Sequence, residues 1–173
     1  MTKMIWLTAL ALVSLAGCNK AADNDSGQTM VMAEPAEYTP AEKATIQATF
    51  PAPYNTADLA EGEKQFMKCR ACHTITPDKM NMTGPHLYGV FGRKSGTEPG
   101  YTYTDAMTAH NTVWDFATLN TYLASPQAVV KGTKMSFPGI LDDAKRQDLI
   151  AYLKLETTPH EAASADSASA SAP

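Results

Sequence analysis

The chain has 173 residues, 44% of them hydrophobic, a size and composition that suit one soluble domain with tails. Its formal net charge is −4, from 14 Lys/Arg against 18 Asp/Glu. Between Asp58 and Glu156 the two classes balance at 11 each, so the presumed globular part has no basic stripe and nucleic acid is not an expected partner.

The N-terminus reads MTKMIWLTALALVSLAGC, with Lys3 ahead of an apolar run from Met4 to Ala16 and small residues at its end. That order predicts an export signal over 1–17. Its apolar run of about 14 residues is shorter than the ~20 that a helix needs to cross a bilayer, so cleavage is expected rather than a permanent span. The stretch Leu15-Ala16-Gly17-Cys18 resembles the lipobox of bacterial lipoproteins. The resemblance implies a diacylglyceryl group on the Cys18 thiol and a lipid anchor on the periplasmic side of a bacterial membrane. Cysteine arithmetic agrees: the chain has Cys18, Cys69 and Cys72 alone, and lipidation removes the odd thiol.

Residues 18–56 are rich in Ala, Pro, Asp, Glu and Thr without a sustained helical period, and are expected to form a flexible linker. A coil of that length would span roughly 30 to 40 Å. The domain proper is expected over 57–157. Its first helix is placed at about Ala57 to Cys69, with Asn55 or Thr56 as N-cap and with Gly62 and Phe66 on one face. A second opens at Asp115, carries Leu119, Tyr122 and Leu123 at helical spacing, and closes at Pro126. A third begins near Asp142, with Leu149, Ile150, Tyr152 and Leu153 as its apolar stripe and Pro159 beyond its stop. No strand series or internal repeat competes, so the fold class is all-α. The turn-rich middle, Thr74 to Asn111, is too long for an idle loop and is expected to wrap something functional. The Ala/Ser-rich tail, 158–173, is expected to be disordered.

In KCRACHT, Cys69, Cys72 and His73 form CxxCH, the spacing for covalent haem attachment. Two cysteines three apart at a helix end can both reach one porphyrin edge and form thioethers with its vinyl groups, and the adjacent His73 then presents its imidazole to the iron. A disulfide, a zinc site and a thioredoxin-like redox pair are the alternatives. Zinc lacks a second CxxC or His pair, and redox pairs of that type follow a strand. Further on, KGTKMSFPG places Met135 in a stretch unsuited to helix or strand and without periodic apolar neighbours. A haem iron held by His73 has a second axial position that a soft thioether suits, and an irregular loop can carry it there. Met80, Met82, Met107, His86 and His110 are rival donors, for which packing or surface roles are the ordinary reading.

From Ala57 to Glu156 the chain resembles the class I c-type cytochromes of the mitochondrial and bacterial cytochrome c2 type. The match runs through CRACHT, TGPHLYGVFGRKSG, GYTYTDAM, Trp114, KGTKMSFPG and RQDLIAYLK, in the family's order and near its spacing. The resemblance implies one haem c bound through Cys69 and Cys72, with His73 and Met135 as axial ligands. It implies a hydrogen bond from His73 to the carbonyl of Pro85, which fixes the ring. Arg93, Tyr103 and Trp114 match residues around a buried haem propionate, though both rings would pack in a core in any case. Tyr122 and Thr133 match polar neighbours of the Met ligand, and Gly62, Phe66, Leu149 and Tyr152 match the crossing of first and last helices. Met107 departs from the family's usual asparagine. Gln127, Ala128, Asp142 and Asp143 stand where mitochondrial members tend to carry lysine, while Lys68 and Lys134 remain near the expected exposed haem edge.

The implied function is that of a membrane-tethered, monomeric, one-electron carrier rather than an enzyme. By the family's example it would run between a quinol-cytochrome c reductase and a cytochrome c oxidase, in a respiratory or photosynthetic chain. The alternatives are a small peroxidase-like haem enzyme, in which Met135 leaves the iron, and a haem sensor or subunit of a larger redox complex.

Overall fold

The structure, a computed structural model, describes residues 38–78 and 80–159. The expected signal peptide, Cys18 and the Ala/Ser-rich segment from 160 onward lie outside the described residues. Among the described residues six α-helices occur in chain order: α1 Pro40–Ala48, α2 Leu59–Phe66, α3 Asp105–His110, α4 Phe116–Ala124, α5 Pro126–Val129 and α6 Asp143–Thr157, with one 3₁₀ turn at Tyr54–Thr56. Among the described residues the extended pairing is a single bridge between Lys94 and Val113, and the fold is all-α.

The frame is the crossing of α2 and α6. Asp58 caps α2 by accepting from the amides of Ala60 and Glu61 at 2.9 and 3.0 Å, so the cap falls beyond the Asn55 or Thr56 expected from the sequence. Both of those residues belong to the 3₁₀ turn, and a carboxylate two positions later serves better at the positive end of the helix dipole. Asp142 caps α6 as expected, accepting from the Lys145 amide at 3.1 Å. At the crossing, Gly62 of α2 lies so close to α6 that a Cβ there would stand 2.2 Å from the Asp148 carbonyl oxygen and 2.7 Å from Tyr152 Cβ. Phe66 and Tyr152 stack beside it at 5.8 Å, and Leu149, Ile150 and Ala151 are fully buried beneath.

α4 follows a capping box in which Asp115 accepts from the Thr118 amide at 2.8 Å and the Thr118 hydroxyl accepts from the Asp115 amide at 2.8 Å. Its Leu119, Tyr122 and Leu123 face the core. After Ser125 the chain re-enters helix at Pro126, so this proline opens α5 as well as closing α4.

The expectation of a flexible linker as far as residue 56 is corrected by α1 and the turn after it. Thr39 and Glu42 form a capping box ahead of Pro40. Lys43 pairs with Glu156 of α6 at 2.6 Å, and Gln47 Nε2 donates to the carbonyls of Ala57 and Tyr54 at 2.7 and 3.3 Å. Phe50 and Tyr54 are buried, their rings 5.4 and 4.6 Å from Phe116, and Phe91 completes the cluster at 5.2 Å. α1 has no fully buried residue, which is why it shows no apolar period. The burial comes from the turn behind it. Tyr38, the first described residue, also packs against the core, so residues assigned to the linker belong to the folded domain.

Candidate functional site

One cavity of about 250 Å³ lies inside this frame. All the residues expected at the site line it: Cys69, Cys72, His73, Pro85, Arg93, Tyr103, Trp114, Tyr122, Thr133 and Met135. Apolar groups from the loops, α4 and α6 complete it, among them Leu87, Leu119, Leu149 and Leu153. Of the five rival donors, Met107 alone lines the cavity. Met80 and Met82 are 58% and 45% exposed, His110 packs on Trp114 at a ring distance of 6.0 Å, and His86 is buried in a contact of its own.

The cysteine pair sits in the turns that continue α2. The amides of Cys72 and His73 both donate to the Cys69 carbonyl at 3.0 Å, which brings both thiols and the imidazole to the cavity wall. Burial pushes the Cys69 thiol up to about 11, the reverse of the activated thiolate that a thioredoxin-like pair needs. Among the described residues no group of three or more His, Cys, Asp or Glu gathers as a metal set, so the pair has no zinc-type company there.

His73 is held on two sides. Its Nδ1 lies 2.6 Å from the Pro85 carbonyl oxygen, and donation there selects the tautomer with the lone pair on Nε2. Behind the ring stands Gly84, whose amide donates to the Cys72 carbonyl at 2.8 Å. A Cβ on Gly84 would lie 2.4 Å from His73 Cε1, so only glycine leaves the ring its place. Burial is the main cause that holds the imidazole pKa below its usual value; the Arg93 charge adds to it and the Pro85 carbonyl opposes it. The ring is thus kept neutral, the form that can bind a metal.

The Met135 loop has no regular structure, yet it is tied along its length. Tyr122 Oη donates to Met135 Sδ at 3.3 Å, and Thr133 Oγ1 accepts from the Met135 amide at 3.2 Å. Gln127 Nε2 donates to the carbonyls of Met135 and Thr133 at 2.9 and 3.2 Å. Lys134 Nζ donates to the Thr102 carbonyl, and the Ile140 amide to the Leu123 carbonyl at 2.9 Å. At the loop's end a Cβ on Gly139, with φ +99°, would meet the Ala124 carbonyl oxygen at 2.1 Å.

Sequence reading missed several members of the site. Gln127 was read only as a lost lysine, whereas it holds the Met loop. Tyr101 lines the cavity, donates to the Thr83 carbonyl at 2.6 Å, and receives the Lys134 ammonium 4.3 Å above its ring. Gly84 and the buried His86–Glu98 contact also passed unnoticed. Gly84 stood in a quoted motif, and its place immediately before the Pro85 carbonyl was the available signal. Lys68 and Lys134 do line the cavity, but each ammonium is engaged by the protein, Lys68 with the Gln65 side chain.

These residues suit a flat, largely apolar group tied covalently on one edge, with an imidazole nitrogen and a thioether sulfur available to a metal. The family model for cytochrome c matches residues 59–155. The chain is 47% identical over 96 residues to a cytochrome c2 of Rhodoblastus acidophilus, covering 56% of this chain and 90% of that protein. It is 46% identical over 101 residues to a cytochrome c of Sesamum indicum, covering 58% of this chain and 91% of the relative. A cytochrome c-type cyt cy of Rhodobacter capsulatus is 44% identical over 120 residues, 69% of this chain and 55% of that protein.

Proposed function

Because the chain belongs to the cytochrome c family, whose cofactor is haem c bound covalently through cysteines, we propose that it is a one-electron carrier in which His73 and Met135 would hold the haem iron. The observation that carries the reading is the convergence of Cys69, Cys72, His73 and Met135 on one cavity, with the His73 ring and the Met135 sulfur each fixed by a hydrogen bond from within the protein. When bound, haem c supplies a single Fe(II)/Fe(III) couple.

The protein's part is to bind, orient and keep dry. The thiols of Cys69 and Cys72 hold the group in place, Pro85 and Gly84 set the His73 ring, and Tyr122, Thr133 and Gln127 hold the Met135 sulfur and its backbone. The leucines exclude water from the cavity, which favours the less charged state, and soft sulfur favours the reduced metal. A Met loop with this many ties is not built to open for a substrate, which weighs against the peroxidase-like alternative.

The finer reading is that the carrier is tethered by lipid at Cys18 on the periplasmic side of a bacterial membrane and passes electrons from a quinol-oxidising complex to a terminal oxidase. The LAGC motif supports the anchor. The test of the ligand set is Met135→Ala. The variant is expected to lose the near-red Met–Fe absorption band and to show a lower midpoint potential, while its haem still resists acid–acetone extraction. An unchanged spectrum would transfer the role to Met107, and haem that washes out of the wild type would end the covalent assignment.

A further inference from the structure

Against the cavity wall lies a buried set of charged and polar groups that the ligand scheme does not use. Arg93 lines the cavity and pairs through Nη1 with Glu98 Oε2, while its Nη2 donates to the His86 carbonyl at 2.8 Å. The other carboxylate oxygen, Glu98 Oε1, lies 2.6 Å from His86 Nε2. Glu98 and His86 are 8% and 2% exposed. The His86 amide is in turn held by Asn81 Oδ1 at 2.9 Å. His86 Nδ1 is buried with no hydrogen-bond partner, so the arrangement fits the tautomer with its proton on Nε2, directed at Glu98. A carboxylate gripped by two donors is the charged, acceptor-only form.

A buried ion pair is a poor stabiliser, since apolar residues of the same volume commonly do as well or better. Its charges nevertheless act strongly on anything nearby at low effective dielectric. Arg93 and Glu98 both act on the hydroxyl of Tyr103, another wall residue. A lone guanidinium at this wall would favour the reduced, less positive metal, and a carboxylate opposes it.

We infer that Glu98 is a potential-setting residue: its carboxylate, held against Arg93 by His86, offsets the guanidinium charge at the cavity wall and keeps the reduction potential below the value that Arg93 alone would give. The inference rests on the electron-carrier reading. It acts through charge and touches no reacting atom, so Glu98 is a positioning and tuning residue.

The test is the midpoint potential of the haem-loaded full chain, wild type against Glu98→Gln, which keeps the side chain's shape and removes its charge. The variant is expected to rise by at least a threefold shift in the electron equilibrium with a partner of fixed potential, about 30 mV at 59 mV per decade for one electron. Should Glu98→Gln not load haem, the step from Arg93→Gln to Arg93→Gln/Glu98→Gln measures the same deletion. Arg93→Gln still leaves the carboxylate its His86 partner, and the double variant removes both members of the ion pair. A potential that stays level or falls in a variant that retains the near-red band overturns the inference. A purely structural role would lower the unfolding midpoint without moving the potential. A wild type without covalent haem would refute the carrier reading instead, so the two failures are distinguishable.

Discussion

Gly84→Ala isolates what holds the proposed proximal ligand. The added Cβ would sit 2.4 Å from His73 Cε1 and 2.8 Å from both ring nitrogens, where ordinary contact begins at 3.4 Å, so ring or backbone must retreat by about 1 Å. The ring has little freedom to do so, because a shift of that size stretches the 2.6 Å contact to the Pro85 carbonyl beyond hydrogen-bond length. Losing that bond costs about 1 kcal/mol and overpacking a further 1 to 3, giving about 2 to 4 kcal/mol. At 4 °C or more per kcal/mol for a domain near 100 residues, the thermal midpoint is expected to fall by at least about 8 °C. The assay is thermal unfolding of the haem-loaded protein with its visible spectrum recorded throughout. Gly89→Ala is the control: its Cβ would have open space, but its φ of +70° makes a side chain cost roughly 1 to 2 kcal/mol in the backbone alone. Gly84→Ala should therefore destabilise more than Gly89→Ala, and it alone should alter the haem spectrum. If Gly84→Ala matches the wild type in both midpoint and spectrum, the ring has room that the geometry denies it.

Three further outcomes follow. Gly62→Ala gains about 1 kcal/mol of helix propensity but drives a Cβ to 2.2 Å from the Asp148 carbonyl oxygen, so the urea midpoint should fall; a rise would mean that α2 and α6 separate easily. Asp115→Ala should cost about 1 kcal/mol at neutral pH through the lost α4 cap. Hydrogen bonds from the Thr118 amide and hydroxyl hold the Asp115 pKa below its usual value, so its contribution is complete above the unfolded-state value and fades as pH falls through the folded one. Wild type and variant should thus converge in stability under acid, and a gap that persists at pH 2 contradicts the cap. Cys18→Ser should release the protein from membranes with its haem spectrum intact, whereas the wild type should resist a salt wash and need detergent; a wild type that salt removes contradicts the proposed anchor.

What could be read from the sequence was what chemistry or capping forces into a local pattern. CxxCH is dictated by the width of one porphyrin edge, and Met135 stood out because its stretch suits neither helix nor strand and has no apolar period. α4 and α6 were legible because Asp115 and Asp142 cap them, and their apolar residues recur at helical spacing. α1 was not, since it buries nothing fully and its neighbours Phe50 and Tyr54 lie in a turn among prolines, where period carries no information. The Thr39–Glu42 capping box was its one local sign. Gln127 and the His86–Glu98 pair escaped because they join a side chain to something distant in the loops, and such pairings leave no spacing rule behind. The α2 cap was misplaced onto polar residues that the chain uses in a 3₁₀ turn instead.

The clasp of α1 on the rest of the domain also decides where force enters. A pull on Tyr38 is passed to α1 and meets the Lys43–Glu156 pair and the Gln47 bonds to the turn. Beyond them stand Phe50 and Tyr54 against Phe116, with Tyr54 Oη on the Phe116 carbonyl at 3.2 Å. Each of these contacts must yield before strain can reach Asp58 and the helix that leads to Cys69. Residues 38–57 thus stand in series between a load applied at Tyr38 and the helix that leads to the haem-binding cysteines.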